Sequence, residues 1–201
     1  MKAFIVAFSF LAIVIPHANA LDCEQCVVVG STATSCTGKK SACPPTATKC
    51  IQGLETNTQD GHVILTAVKS CYLPSMPQVF CSVTEHFLQN SRLTIRYNAV
   101  CGLTSTPFKV PHLNRDHNGY KCPDCFIEDN MDECPVNKEF KCSGSQTKCL
   151  SIRTLAHRPG RNNKLYIFKG CTTPDFCSII RDLPGSRPVH LIYSCTDATR
   201  M

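Results

Sequence analysis

The chain has 201 residues, of which sixteen are cysteine and none is tryptophan, and its formal net charge at pH 7 is +6. The positive charge is mild and dispersed, without a run of five basic residues, so the composition does not indicate binding to nucleic acid or strong attraction to a membrane surface. An even and high cysteine count is typical of an extracellular disulfide scaffold.

The first twenty residues have the pattern of a secretory signal peptide. Lys2 provides a positive start, residues 3–15 form an almost unbroken apolar run, and Ala18-Asn19-Ala20 has the small-residue form that signal peptidase requires. We predict cleavage between Ala20 and Leu21 and a secreted product. No later stretch reaches the roughly 18 apolar residues of a membrane span, and the C-terminal residues lack the apolar tail of a lipid anchor.

Two CxxC motifs, at Cys23–Cys26 and Cys122–Cys125, each allow zinc binding, thiol–disulfide exchange or a structural disulfide framework. Zinc is disfavoured because neither motif is followed, within its own half of the chain, by a second CxxC or an HxxxH pair at finger-like spacing. Redox exchange is disfavoured because no βαβ pattern surrounds either motif. We therefore expect structural disulfides, no metal ion and no cofactor.

The cysteines form two sets of eight with nearly equal spacing. The steps from Cys23 are 3, 10, 7, 7, 21, 10 and 20, and those from Cys122 are 3, 9, 8, 7, 22, 6 and 18. This pattern predicts a tandem duplication: signal peptide 1–20, first domain 21–106, linker 107–119 and second domain 120–201. The linker contains two prolines and no cysteine, and we expect it to join two separate folding units.

Several segments carry the alternation or the β-branched and aromatic composition of strands, while none has the periodicity of an amphipathic helix. In the first repeat a turn around residues 57–61 leads into a returning strand. In the second, the turn-forming segment 156–163 connects the two strands of a long hairpin. The predicted strands are Val63–Val68, Leu93–Val100, Leu150–Arg153, Lys164–Lys169 and Val189–Tyr193.

The CxxC opening, the cysteine steps and the Lys-Ser-Cys or Lys-Gly-Cys after a long hairpin resemble the three-finger fold of snake toxins and the urokinase receptor. The resemblance implies two all-β domains and a specific set of disulfides, whereas the sequence alone permits 105 connectivities for each set of eight cysteines. The implied pairs are Cys23–Cys50, Cys26–Cys36, Cys43–Cys71, Cys81–Cys101, Cys122–Cys149, Cys125–Cys134, Cys142–Cys171 and Cys177–Cys195.

Two groups of two-domain secreted proteins within this fold are similar to the chain. NGYKC at 118–122 and FKGC at 168–171 resemble both the gamma-type phospholipase A₂ inhibitors and the sodefrin precursor-like courtship pheromones. CEQC at 23–26, CPPxxTKC at 43–50 and GLETNT at 53–58 resemble the pheromone group more closely. Neither Cys101 nor Cys195 is followed by the Cys-Asn ending of many three-finger domains, which weakens any transfer of function from membrane-anchored receptors.

No enzyme motif is present: the chain has no GxSxG, no HExxH and no EF-hand calcium loop. The histidines after the cleavage site are scattered through predicted strands and linker, so we expect no enzymatic activity. No N-x-S/T sequon occurs, so no N-glycan is expected.

The hairpin tip at residues 157–164 is the candidate contact surface for an extracellular protein. Its basic side chains are those of His157, Arg158, Arg161 and Lys164, and its positive charge suits an acidic patch on a partner; the alternative is a turn that is merely solvated. The acidic segment 128–133 of the same repeat lacks the spacing of a known calcium loop, and we expect it to be solvated.

The sequence thus indicates a secreted, non-enzymatic protein that binds another protein. Its resemblance favours a pheromone that acts on a receptor, and the alternative is a phospholipase A₂ inhibitor. A third hypothesis is a precursor cut at Lys39-Lys40, but that site lies between Cys36 and Cys43, so disulfides would hold the two pieces together.

Overall fold

The computed structural model describes residues 21–76, 78–81, 86–102, 114–129, 134–156, 164–182 and 191–201. The predicted signal peptide, most of the predicted linker and most of the basic hairpin tip lie outside these residues. The strand predicted at Val189–Tyr193 lies partly outside them, and the observed strand begins at Ile192.

Among its described residues, the first repeat has six antiparallel strands and one turn of 3₁₀ helix. Strands β3 and β4 form a long hairpin, whose two-residue connection, Asp60-Gly61, has positive φ at both positions (50° and 83°). This is the geometry that an Asp-Gly pair favours between twisted strands. The elements are β1 (Asp22–Gly30), β2 (Lys39–Ala42), β3 (Lys49–Gln59), β4 (His62–Tyr72), the 3₁₀ turn (Gln78–Cys81), β5 (His86–Gln89) and β6 (Leu93–Cys101).

The described residues of the second repeat follow a similar plan but differ in several elements. Its first strand is divided in two at Asp124, and an α-helix follows its long hairpin. The elements are β7 (His117–Pro123), β8 (Cys125–Glu128), β9 (Glu139–Ser143), β10 (Lys148–Ala156), β11 (Lys164–Thr172), α1 (Pro174–Asp182), β12 (Ile192–Asp197) and β13 (Thr199–Arg200). Strand β7 begins at His117, inside the segment that the sequence assigns to the linker.

Helix α1 is a departure from the sequence-based expectation of no helix. Pro174 occupies its first turn, where a missing N–H costs nothing, and Asp175 places a negative charge near the positive end of the helix dipole. Ile179 and Ile180 are buried. Nine residues make only two and a half turns, too short for a helical period to stand out in the sequence.

The described residues contain eight disulfides, and their pairs are the ones that the resemblance implies. None of them joins the two repeats. All sixteen cysteines are bonded, so each small domain is cross-linked four times, which constrains its unfolded state.

The two repeats share one ten-stranded sheet. Its strands run in the order β12-β10-β11-β5-β6-β3-β4-β1-β2, with β8 also paired to β11, while β13, β7 and β9 form a second sheet. Strand β5 of the first repeat pairs with β11 of the second. The proline-containing linker predicted separate folding units, and nothing in the sequence indicated that one sheet would continue through both repeats. The end of the first domain at 106, the linker at 107–119 and the start of the second domain at 120 stay predictions.

The largest apolar cluster also crosses between the repeats. The first repeat contributes Leu88 and Leu93, both buried, and the second contributes Phe126, Leu150, Tyr166, Phe168 and Ile180. A separate, smaller cluster around Leu54 lies within the first repeat. The main hydrophobic core therefore belongs to the junction, and the second repeat completes its core with side chains of the first.

Candidate functional site

Only Lys164 of the predicted basic tip lies among the described residues, since His157, Arg158 and Arg161 fall outside them. The Lys164 ammonium lies 3.1 Å from Glu128 Oε1 and 3.0 Å from Asp129 Oδ2. Hydrogen bonds to Asp129 and Glu128 raise the pKa of Lys164 above its ordinary value. The structure therefore brings the start of the acidic segment against the base of the basic hairpin, and these charges partly neutralise each other.

The junction between the two repeats is the second candidate site, and no motif in the sequence predicts it. Strand β5 lies antiparallel to β11, with Leu88 opposite Thr172 and Gln89 opposite Cys171. Two further bonds extend the contact: the Phe87 N–H donates to Thr173 Oγ1 (3.3 Å), and the Thr173 N–H donates to the Phe87 carbonyl (3.1 Å). The sheet is thus continuous through main-chain hydrogen bonds.

Asn90 links the repeats through its side-chain amide. Its Nδ2 donates to the carbonyls of Cys125 (2.7 Å) and Lys169 (3.2 Å), and its Oδ1 accepts from the N–H groups of Arg92 and Leu93. Asn90 is only 3% exposed. Because buried amides are costly unless they are hydrogen-bonded, this residue both shapes the β5–β6 turn and attaches it to the second repeat.

A buried carboxylate strengthens the same contact. Asp124 Oδ1 accepts from the Ser91 N–H (3.1 Å), and its Oδ2 lies 3.0 Å from the Lys138 ammonium. Burial of Asp124 raises its pKa, but the hydrogen bonds from Ser91 and Lys138 outweigh that effect, and the pKa is lowered overall. Asp124 is therefore charged at neutral pH, with partners in both repeats.

Arg92 completes the junction on its solvent side. Its guanidinium donates two hydrogen bonds to Asp60 (2.8 and 2.7 Å) and lies over the Phe126 ring, 5.4 Å from the centroid. The hydrogen bond from Arg92 lowers the pKa of Asp60. Nearby, Gln59 Nε2 donates to Glu128 Oε2 (2.9 Å). The tip of the first repeat's long hairpin is thus tied to the first strand of the second repeat.

Gly170 permits the close approach of the two repeats. A Cβ atom at this position would lie 2.3 Å from the Gln89 carbonyl oxygen and 2.9 Å from Asn90 Cβ, both in the first repeat. No side chain fits at such distances. The matching residue of the first repeat is Ser70, so this position distinguishes the strand edge that accepts β5 from its counterpart.

The open surface of the first repeat is apolar. Val27, Val28 and Val29 in β1 are 64%, 42% and 49% exposed, and Val63 near the hairpin tip is 45% exposed. Three adjacent exposed valines in one strand are unusual on a protein surface and are a feature of interaction surfaces. We call residues Cys26–Gly30 of β1 the valine edge.

A groove of about 710 Å³ lies at the base of the first repeat. It is open to solvent and is lined by Thr48, Lys49, Tyr72, Pro74, Met76, Gln78 and Cys81. The Tyr72 hydroxyl donates to the Met76 carbonyl (3.1 Å) and so fixes one wall. The groove has a mixed lining and no cluster of acid–base groups among the described residues that form it.

In each repeat, three buried cysteine sulfur atoms lie within 4.8 Å of one another, a spacing that ligands of a metal ion also have. They belong to Cys23, Cys43 and Cys71 in the first repeat and to Cys122, Cys142 and Cys171 in the second. Each of these sulfurs takes part in a disulfide, so none is available as the thiolate that a metal site requires. Their proximity reflects the disulfide hub from which the fingers project.

These features agree with the comparison to known families. The model of the u-PAR/Ly-6 domain matches the chain twice, over residues 19–106 and 118–200. The chain therefore belongs to the u-PAR/Ly-6 domain family and contains two tandem copies of the domain. The three-finger resemblance drawn from the cysteine spacing is confirmed at this level.

Among known proteins, the chain is similar to two snake proteins over most of its length. It is 25% identical to the phospholipase A2 inhibitor LNF2 of Lachesis muta muta over 205 residues, which cover 95% of this chain and 94% of that protein. It is 25% identical to the phospholipase A2 inhibitor CgMIP-I of Cerrophidion godmani over 167 residues, covering 80% and 78% respectively.

A solved structure with similarity to the chain is that of mouse TEX101. The match has a TM-score of 0.40 and 18% sequence identity, and it covers 90% of this chain and all of the other. No helix within the described part of the chain has the length and apolar character needed to cross a membrane.

Proposed function

We propose that the protein is a secreted, non-enzymatic factor that acts by binding another extracellular protein. The observation that carries this proposal is the rigid, continuous sheet that eight disulfides and the junction hold in place. A scaffold of this kind loses little conformational entropy when it binds, so its loops and exposed strands are well suited to recognition.

The candidate contact surfaces are two. The first is the basic hairpin tip at His157, Arg158, Arg161 and Lys164, whose described member is held by Glu128 and Asp129. The second is the exposed apolar strand that begins the first repeat. Charge on one surface and apolar side chains on the other provide both orientation during encounter and area for burial.

Two targets are proposed, each with its own support. A receptor, in the manner of a sodefrin precursor-like pheromone, is supported by the first-repeat motifs CEQC, CPPxxTKC and GLETNT. A secreted phospholipase A₂ is supported by the similarity to two snake phospholipase A2 inhibitors, which are 25% identical over 80–95% of this chain. The receptor remains our first candidate, and the phospholipase is the alternative.

One experiment separates the two targets. Purified, disulfide-intact protein is added in excess to a secreted phospholipase A₂ during phospholipid hydrolysis, and the same preparation is applied to chemosensory epithelium. Stoichiometric inhibition without a sensory response selects the phospholipase, and a sensory response without inhibition selects the receptor. The absence of binding to either, together with an enzymatic turnover by the protein itself, would overturn the proposed class.

The contribution of the basic tip is tested with Arg158→Ala, Arg161→Ala and Lys164→Ala combined. Its matched control removes the same number of charges from exposed positions of the first repeat, Lys39, Lys40 and Lys49. We expect the tip variant to reduce whichever response is observed while the control does not. An equal reduction in both would mean that net charge, and not this loop, drives binding.

A further inference from the structure

The valine edge has hydrogen-bonding groups that the described part of the fold leaves without a strand partner. Strand β2 pairs only with the first half of β1, from Asp22 to Gln25, and β4 pairs with the second half, from Cys26 to Gly30, on the other side. Gly38 still lies against Cys26, since a Cβ atom at Gly38 would be 2.9 Å from Cys26 Cβ, and only from Val27 onward does no described strand lie along the outer side of β1. Such a row of main-chain donors and acceptors is a template for adding another strand.

The Cys26–Cys36 disulfide holds the returning loop against the start of this edge, but Val27–Gly30 carry no charge, proline or bulge that would discourage pairing. Natural sheets discourage unwanted pairing with lysine, proline, bulges or inward-pointing charges. Residues 26–30 read Cys-Val-Val-Val-Gly, without a charge or a proline, and the three valines are between 42% and 64% exposed.

The matching strand of the second repeat shows what a neighbour does at this position. Strand β8 pairs with β11 in the register that β1 has with β4, so that Phe126 corresponds to Val27 and Glu128 to Val29. There, Asn90 and Arg92 of the first repeat donate to the carbonyls of Cys125 and Phe126. A neighbouring three-finger unit of the same chain thus covers the first strand of the second repeat.

The β5–β6 turn that provides this cover cannot serve a second molecule in the same way, because it is already engaged within its own chain. The edge is, however, complementary to itself. An antiparallel pairing of two copies about Val28 places Val27 opposite Val29 and Val28 opposite Val28, so every exposed valine faces another valine. Identical surfaces related by a two-fold axis give a closed dimer.

We propose that the valine edge is a self-association site, at which a second copy of this chain pairs antiparallel with residues 27–29, beyond the loop that covers Cys26, and extends the sheet across a two-fold axis. The paired segment is short, and it buries much less than the roughly 1,600 Å² of a standard interface. The dimer is therefore reversible and dependent on concentration.

The test is sedimentation velocity of the intact, oxidised protein over about a hundredfold range of concentration, since mass action must shift the monomer–dimer distribution. Val28→Lys would place two like charges opposite each other at the two-fold axis, and we expect it to weaken association at least about tenfold. Val63→Lys is the matched control, because Val63 is similarly exposed but lies outside the edge; we expect it to dimerise like the wild type.

Charge complementation makes the test specific. Val28→Glu alone should also be monomeric, whereas an equimolar mixture of Val28→Lys and Val28→Glu should form a mixed dimer. Far-ultraviolet circular dichroism and the absence of free thiols confirm that each variant is folded. The proposal is overturned if the wild type is monomeric at every concentration, if Val63→Lys abolishes association as strongly as Val28→Lys, or if the mixture stays monomeric. Binding of the monomer to phospholipid vesicles that is lost in Val28→Lys would assign the edge to a lipid surface instead.

Discussion

The first strand of each repeat occupies the same place in the fold but has opposite surroundings. In the first repeat, Val27 and Val29 are exposed on an open edge. In the second, Phe126 is 8% exposed and packs against Tyr166, and Glu128 binds Gln59 and Lys164. The register with the neighbouring strand is the same in both. The two repeats therefore share the strand register but differ in the side chains of this strand. In the second repeat the strand forms part of the junction, whereas in the first repeat it lies at the surface.

The two repeats are therefore not interchangeable. The first provides β5, Asn90 and Arg92, and the second provides the strand edge, the glycine and the apolar pocket that receive them. A small domain buries too little apolar surface to be very stable by itself. The shared core enlarges that surface, and it also fixes the orientation of the fingers relative to one another.

The largest expected effect comes from making the second repeat resemble the first at Gly170. Gly170→Ser places a side chain where a Cβ atom would lie 2.3 Å from the Gln89 carbonyl, so β5 must move away from β11. We expect a loss of about 3 kcal/mol in the free energy of unfolding, measured by denaturant titration without reductant. We also expect faster proteolysis between residues 102 and 114.

The reciprocal variant, Ser70→Gly, is the control for this prediction. It changes a residue of β4, whose strand partners among the described residues, β1 and β3, both belong to the first repeat, and glycine in a strand costs roughly 0.5–1 kcal/mol. If the two variants lose the same stability and are cut at the same rate, Gly170 does not determine where the junction forms.

The next largest effect on stability is expected from exchanging the two corresponding residues Phe126 of β8 and Val27 of β1. Phe126→Val removes the ring that contacts Tyr166 and lies beneath Arg92, and it leaves a cavity in the shared core. We expect a loss of about 2 kcal/mol. Val27→Phe, at a position that is 64% exposed, should change stability by less than about 0.5 kcal/mol at dilute protein. Equal losses would contradict the assignment of the main core to the junction.

Much of this fold could be predicted from the cysteines, because their spacing is set by the distances between fingers. The repeat and the strands around Val63–Val68 and Lys164–Lys169 follow from spacing and local composition. The strand at residues 86–89 has only a weak signal, the apolar pair Phe87-Leu88 before the turn-forming residues Asn90 and Ser91. The partner of that strand could not be predicted, because pairing between repeats depends on side chains far apart in the chain. In the sequence, Ser70 and Gly170 are simply matching small residues of the two repeats. Their difference matters only because Gln89 lies against Gly170 in the fold.

A smaller, pH-dependent effect is expected at Asp124, where the first repeat has Gln25. Because the pKa of Asp124 is lowered in the folded protein, its ionised form stabilises the junction above the ordinary carboxyl pKa of 3.8, and this contribution is lost as the pH falls through the lower folded value. Asp124→Asn should cost about 1.5 kcal/mol at pH 7. The difference from the wild type should shrink when stability is measured towards pH 3.

The control for this titration is Asp22→Asn, which changes an exposed carboxylate of β1 that does not lie at the junction. Because Asp22 is exposed, the substitution should change the stability at pH 7 by less than about 0.5 kcal/mol. A gap between Asp124→Asn and the wild type that is constant from pH 7 to pH 3 would show that shape, and not charge, makes Asp124 important.

The smallest effect is expected where the second repeat has charges and the first has apolar residues. Glu128, Asp129 and Lys164 correspond to Val29, Gly30 and Ile64 in the matching registers. The Lys164 ammonium reaches both carboxylates, but its side chain is 31% exposed and that of Asp129 is 51% exposed, so solvent screens much of the attraction. We therefore expect Lys164→Ala to cause only a small loss of stability at low salt, less than any of the junction variants above. Because its pKa is raised, Lys164 keeps its charge through neutral pH, and its contribution should disappear only as the solution becomes strongly alkaline. Raising the ionic strength should reduce the loss towards zero, since salt screens exposed charges.

The control variant is Lys164→Met, which retains an apolar stem without the charge and so separates packing from electrostatics. If Lys164→Met loses as much stability as Lys164→Ala at low salt, the ion pairs are responsible for the effect. If Lys164→Met is as stable as the wild type, the packing of the stem is responsible.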